Sequence, residues 1–402
     1  MHRTLAVALA CAAALVGGCA LVADYDFGSY EERPGDAATS GSGGMAGGTS
    51  TSAGGAGGTT TSGTGGLGGD GGMGGAGAMG GAGGMGGAGG MGGNGGAGGN
   101  GGAGGNGGAG GGPLVDVLYQ GIDQPTSLAV DGTHVYWTTS INFTMPDGRV
   151  RRKPKGGGAI EEIDMGQIDP SSVSLTNQTI YWHSTLGPGS VIRSALKSNL
   201  LPGVLHVSME RIIGLAASSQ AVFWTSDGDN VWKINTDGTG AAEIVAGQDN
   251  PGAIAVDAQG IYWLTRGTVG MVNGDVKRAG LDGSSVMLLD ELQDFPTAIA
   301  VDPLNVYWGT LDGAVRAVPK DGSPSITKVP PSGGPPCNDV TVDATDIYFT
   351  RGSAVARVEI ATMNVSAVFF GMTDPQKVRV DADDVFFTLY DPPDGSLRKT
   401  PK

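Results

Sequence analysis

Five aspartates stand where the chain could gather oxygen ligands or charge. Asp123, Asp169, Asp249, Asp294 and Asp374 each lie just before a proline. If those segments meet on one face of a fold, their carboxylates suit a cation such as Ca²⁺ or a basic partner. The same residues also close Asx turns ahead of proline with no ligand involved. Asp227-Gly228-Asp229-Asn230 has the alternating oxygens of a calcium loop but lacks the distal glutamate, so it reads as a hairpin turn. The sequence requires no cofactor, and Ca²⁺ is the one ion its oxygens would suit. Catalytic groups are sparse. His134, His183 and His206 fall at unrelated places in the repeat described below. No Ser-His-Asp or Cys-His motif, phosphate-cradling loop or zinc spacing accompanies them. An active site assembled from distant segments would leave no local signature, so His183, Arg266 and Arg351 stay in view as possible contributors.

What must position these residues is a repeat. An aliphatic residue followed by two aromatics occurs at Tyr136-Trp137, Tyr181-Trp182, Phe223-Trp224, Tyr262-Trp263, Tyr307-Trp308, Tyr348-Phe349 and Phe386-Phe387. Successive anchors lie 38 to 45 residues apart, the length of a propeller blade. Each unit reads as four short β-branched or aromatic runs separated by Asp/Gly turns, which are hairpin signals. In unit four the runs begin at Ala253-Ile254-Ala255-Val256, Gly260-Ile261-Tyr262-Trp263, Gly274-Asp275-Val276 and Val286-Met287-Leu288-Leu289. Gly and Pro interrupt every candidate helix. The last unit stops at its third run, Gly395 to Lys399, while an unpaired run, Val115 to Tyr119, precedes the first. The N-terminal run can therefore complete the last blade, close the ring and remove an exposed edge. The expectation is an all-β, seven-bladed β-propeller of four-stranded blades over residues 113–402.

Adjacent side chains on a strand point to opposite faces, so each aromatic pair fills two inter-blade layers and belongs to the core. Asp131, Asp257, Asp302, Asp343 and Asp381 end first strands and read as turn formers. A basic residue recurs in the third run as Arg152, Arg193, Lys233, Arg278, Arg357 and Lys399, and reads as snorkelling over its blade to pair with turn carboxylates. Phe223-Trp224-Thr225-Ser226, then Val231-Trp232-Lys233 and Asp237-Gly238, resembles the YWTD repeat of low-density-lipoprotein-receptor class B propellers. Unit four keeps the same order with Val276, Arg278 and Leu281-Asp282-Gly283. No unit carries a complete Tyr-Trp-Thr-Asp, and that family has six blades. The resemblance implies the fold and a habit of protein binding. The repeats also resemble streptogramin lyases and gluconolactonase-like hydrolases, which keeps open an enzyme with a metal in the central channel.

The N-terminus reads as a processing signal. His2 and Arg3 precede an apolar run from Leu5 to Val16, about twelve residues and short of the roughly 20 that span a bilayer. Val16-Gly17-Gly18-Cys19 resembles the bacterial lipobox, which implies cleavage after residue 18, lipid on Cys19 and anchorage to a membrane. Ala20 after the cysteine points to the outer membrane in that family. Ordinary secretory cleavage near Ala20 is the alternative. Glycine supplies 76 of 402 residues, concentrated before Pro113, and a segment so poor in apolar side chains has little to bury. Residues 19–112 are therefore expected to form a lipidated N-terminus and a disordered tether. Of three cysteines only Cys337 would remain in the domain, so its stability must come from a core.

A net charge of −15 argues against nucleic acid, which needs clustered Lys and Arg. The longest interruptions of the repeat, Ser140 to Gly148 and Gly267 to Gly274, follow second strands and would share a face with the five aspartates. Phe143 and Met145 add apolar contacts there. The sequence thus points to a cell-envelope binding module with an acidic recognition face for a protein or glycan partner.

Overall fold

The computed structural model describes residues 115–122, 124–390 and 395–402. Cys19, the segment 19–112 and Asp123 lie outside the described residues. The chain forms seven antiparallel sheets of four strands each, with no helix among the described residues. Six sheets use four consecutive strands. The seventh combines Pro375–Val380, Asp384–Leu389 and Gly395–Pro401 with the N-terminal strand Asp116–Ile122. That strand pairs with Gly395–Pro401 from Asp116↔Lys399 to Ile122↔Gly395, with bulges on the way. Each innermost strand lies beside those of its neighbouring blades, and Pro375–Val380 lies beside Gln124–Val130, which completes the circle. The strand number, the blade count and the closure follow the sequence pattern.

The aromatic pairs hold the blades together. Trp137, Trp182, Trp224, Trp263 and Trp308 are fully buried. Tyr307 packs with Val340 and Phe349 of the following blade, whereas its neighbour Trp308 packs with Tyr262 and Val276 of the preceding one. Tyr262 and Trp263 divide between two layers in the same way. One dipeptide therefore welds three blades, because a pleated strand alternates its faces.

The ring has two unlike faces. We term the lower face the one formed by turns from first to second strand and from third to fourth. The upper face carries the blade-connecting segments and the turns from second to third strand.

On the lower face the turn aspartates do what the sequence leads one to expect, and more. Asp131 Oδ1 accepts the amides of Thr133 and His134 at 2.8 and 2.9 Å. Its Oδ2 accepts the Tyr136 hydroxyl at 2.8 Å and pairs with Lys197 of the next blade, also at 2.8 Å. The Lys197 ammonium sits 5.5 Å from the Tyr136 ring centroid, a cation–π contact. The same latch recurs as Asp257 with Lys320 over Tyr262, Asp343 with Lys402 over Tyr348, and Asp381 with Lys155 over Phe386. The last of these spans the seam between blades 7 and 1.

The recurrent third-strand cations are likewise held within the fold, though mostly not by turn carboxylates. Arg152 pairs with Glu161, Arg193 with Asp164 at 2.8 Å and Lys399 with Asp384 at 3.0 Å. Arg278 donates to the Lys320 carbonyl, Arg357 to Ser366 Oγ, and Lys233 covers the Phe223 ring.

Candidate binding face

The upper face is built on very short blade connections. The fourth strand Met287–Asp294 runs to within one residue of the next first strand, Pro296–Val301. Asp294 thus ends a strand rather than occupying a loop. The residue directly before the opening proline adopts a left-handed backbone in four blades, as Asp169 (φ 48°), Asn250 (φ 50°), Phe295 (φ 41°) and Asp374 (φ 44°). Asn and Asp tolerate that region better than most residues, which accounts for three of the four choices. Asp249 and Asp294 stand one position earlier. The described aspartates therefore occupy two different registers and do not form one ring of oxygens.

Four of the connections are clasped by the blade they open. The amides of Thr185, within the end of its second strand, and of Arg266, Leu311 and Tyr390, just past theirs, donate to the carbonyls of Ile168, Asn250, Asp294 and Asp374 at 2.8 to 3.1 Å. Beneath them sit buried glutamines that sequence reasoning missed. Gln248 and Gln293 accept the indole N–H of Trp263 and Trp308 at 3.1 and 3.0 Å. Gln167 instead accepts the Ser184 hydroxyl at 3.0 Å. Each amide also donates to a carbonyl two residues back. The available signal was a glutamine three residues before the opening proline in blades 2, 4 and 5.

The candidate residues fall into two groups. Asp249 and Asp374 are exposed, Asp169 and Asp294 half-buried. Asp169 and Asp374 are both engaged within the chain. Burial and the nearby Asp312 carboxylate raise the pKa of Asp294. The second group is structural in its surroundings. Arg266 is 1% exposed and lies across Gly252, where a Cβ would stand 2.9 Å from its Nε. Its guanidinium reaches the Phe295 ring at 6.0 Å. Arg351 donates to the Gly313 carbonyl at 3.0 Å, tying blade 6 to blade 5. His183 is buried with Nε2 3.2 Å from Ser172 Oγ, and burial, helped by Arg211, holds its pKa down at about 3. Ser172 is itself fully buried, so a substrate cannot reach this pair without the blade opening.

The two long loops are braced and apolar at their tips. In blade 1, Asp147 Oδ1 accepts the amides of Ile141 and Asn142 at 3.1 and 3.4 Å, and Asn142 caps Thr144 at 3.0 Å. In blade 4, Asn273 Oδ1 accepts the Thr268 amide at 2.8 Å. Ile141 and Met145 are exposed in the first loop, with Phe143 half-buried, and Val269 and Met271 are exposed in the second. Asp227-Gly228-Asp229 forms the expected hairpin turn, closed by the Asp229 amide on the Ser226 carbonyl at 3.2 Å, and its two carboxylates accept the amides of Arg211 and Asn250 in the neighbouring blade connections. Among the described residues no group of three or more His, Cys, Asp or Glu is placed to hold a metal ion.

No protein-family model matches the chain. No curated protein matches it either. Solved structures do resemble it. YCF48 from Cyanidioschyzon merolae is 10% identical with a TM-score of 0.55, over 71% of this chain and 98% of that one. The computationally designed Ika8 protein is 14% identical with a TM-score of 0.50, over 69% of this chain and 83% of that one. A chain of the nidogen/laminin complex is 16% identical with a TM-score of 0.45, over 58% of this chain and 92% of that one. The first two likenesses support the fold, and identities this low speak to nothing else.

Proposed function

We propose that this chain is a lipid-anchored cell-envelope protein whose propeller binds a protein or glycan partner through its upper face. The observation that carries the reading is the contrast between faces. Four of the seven lower-face junctions hold latches, whereas the upper face offers two braced loops with exposed apolar tips beside carboxylates. Loops on rigid scaffolds are where recognition concentrates, and apolar anchors rimmed by charge suit an interface. Topology supports it as well. The first described strand starts near Lys399 at the lower end of the ring, opposite the upper loops. The partner is cationic or of mixed charge, and salt weakens the association.

Two experiments test this. Mass spectrometry of the mature N-terminus from a bacterial host should find an acylated Cys19, and an unmodified start downstream would remove the anchor. Replacing Asp123, Asp249 and Asp294 together by Asn, and separately Phe143→Ala, should each reduce capture from envelope extract at low salt. An unchanged capture profile in both variants would reject the upper face.

A further inference from the structure

The upper face holds a cleft of about 440 Å³ at the seam where blade 7 meets blade 1, lined by Ile141, Pro146, Asp147, Arg149, Arg151 and Met165. That volume lies within the range of small-ligand sites. Among the described residues nothing covers its apolar wall, where Ile141 and Met165 are 61% and 58% exposed. Its polar wall is unequal. Arg151 Nε donates to Glu162 Oε1 at 2.7 Å, and Arg149 Nη1 stands 3.4 Å from that same oxygen. Two guanidiniums thus share one carboxylate oxygen. Among the described residues the other carboxylate lining the cleft, Asp147, is turned to the loop amides of Ile141 and Asn142. Arg151 is fixed further, 5.6 Å over the Tyr119 ring, which lies against Trp137. Arg149, with a side chain 42% exposed, keeps donors of its planar fork to offer.

From this we propose that the seam cleft recognises a carboxylate carried beside an aliphatic side chain, as at a peptide C-terminus or an acidic residue in an apolar segment. The inference rests on the upper-face reading and supplies the chemistry of one contact within it. Arg149 takes the carboxylate, and Ile141 and Met165 take the aliphatic group. The complementarity is local: a carboxylate meets a guanidinium pair on a face otherwise rich in aspartate. A partner of mixed charge satisfies both.

The test uses three probes on the purified full chain: a leucyl peptide with a free C-terminal carboxylate, the same peptide as its amide, and an amidated peptide with an internal aspartate beside leucine. Methyl NMR of Ile141 and Met165 reports occupancy. The free-acid or the aspartyl peptide should shift both methyls, the amide should bind at least tenfold more weakly, and whichever acid binds tighter names the source. Arg149→Gln should erase the preference for the acid, while Leu304→Ala, exposed on the lower face, should leave it intact. Equal binding of acid and amide, or no shift at millimolar peptide, would overturn the proposal. Failure of the wider reading would show differently, as loss of partner contact at Met271 in the blade 4 loop, which this cleft does not include.

Discussion

The two faces of the ring obey different rules. On the lower face one arrangement repeats, with an aspartate turn, an aromatic ring and a lysine from the next blade. It occupies four of the seven junctions, three of them consecutive across the seam from blade 6 to blade 2. Its two halves are correlated within this one chain. Where the turn holds Thr176 or Ser218 instead of aspartate, the next blade's third strand is followed by Thr236 or Gly280 instead of lysine. Asp302 is the exception, because Ile360 follows and its carboxylate is left to its turn and to Tyr307. On the upper face the backbone clasps and the buried glutamines repeat, but the exposed side chains do not. Loop lengths differ, the aspartates shift register, and the apolar tips belong to blades 1 and 4. Regularity marks the residues that the fold itself uses, and the proposed partner contacts fall among the irregular ones.

Removing the closing strand should have the largest effect on this contrast. Deleting residues 115–122 leaves blade 7 with three strands and strips Leu118 and Tyr119 from the core beside Trp137 and Leu397. At about 1 kcal/mol per lost ladder bond plus the lost burial, the cost is roughly 5 kcal/mol or more. Urea denaturation should show it, with light scattering reporting association through the new edge. Unchanged stability would mean that the ring does not depend on this closure.

Next in size is a comparison within the lower face. Asp381→Ala should cost about 2–4 kcal/mol, because it removes turn bonds and leaves the half-buried Lys155 unpaired. Asp302→Ala loses turn and tyrosine bonds but no lysine carboxylate pair, and should cost about half as much. Equal losses would show that the lysines contribute nothing to the junctions.

Acid should then separate the faces. At Asp131, Asp343 and Asp381 burial is outweighed by the paired lysines and turn amides, which hold the carboxyls below the ordinary value of 3.8. A lowered folded value gives stability that is present above 3.8 and lost as pH falls through the folded values. Asp294 has the opposite sign, since its raised value makes protonation favour the folded state. His183, buried neutral, also withdraws stability as pH falls below 6.5, while the buried Asp339 acts in the opposite direction, so the latched acids should show as an added fall in melting temperature below about pH 4. The double variant Asp131→Asn, Asp381→Asn should flatten that fall. The smallest effect belongs to the upper face, where Asp249→Asn should change stability by under about 0.5 kcal/mol.

The aromatic anchors, the blade count and the closing strand are legible in the sequence because each depends on a local pattern or on counting strands. The latches are harder to see. Asp131 and Lys197 lie 66 residues apart and meet only once two blades are in register. The seam cleft is assembled from Arg149 and Met165 of blade 1 against the end of the blade 7 strand, and no single motif encodes it. The burial of Arg266 depends on glycine at position 252, a contact across two strands that no local motif of the sequence announces.

The division of labour between the faces is tested most directly by photo-crosslinking in cells. A photoreactive residue at Met145 or Met271 samples the upper face, and one at Leu304, 73% exposed on the lower face, provides an equally accessible apolar control. Partner adducts should form from Met145 and Met271 and not from Leu304. Adducts that form equally from Leu304, or only from it, would contradict the account.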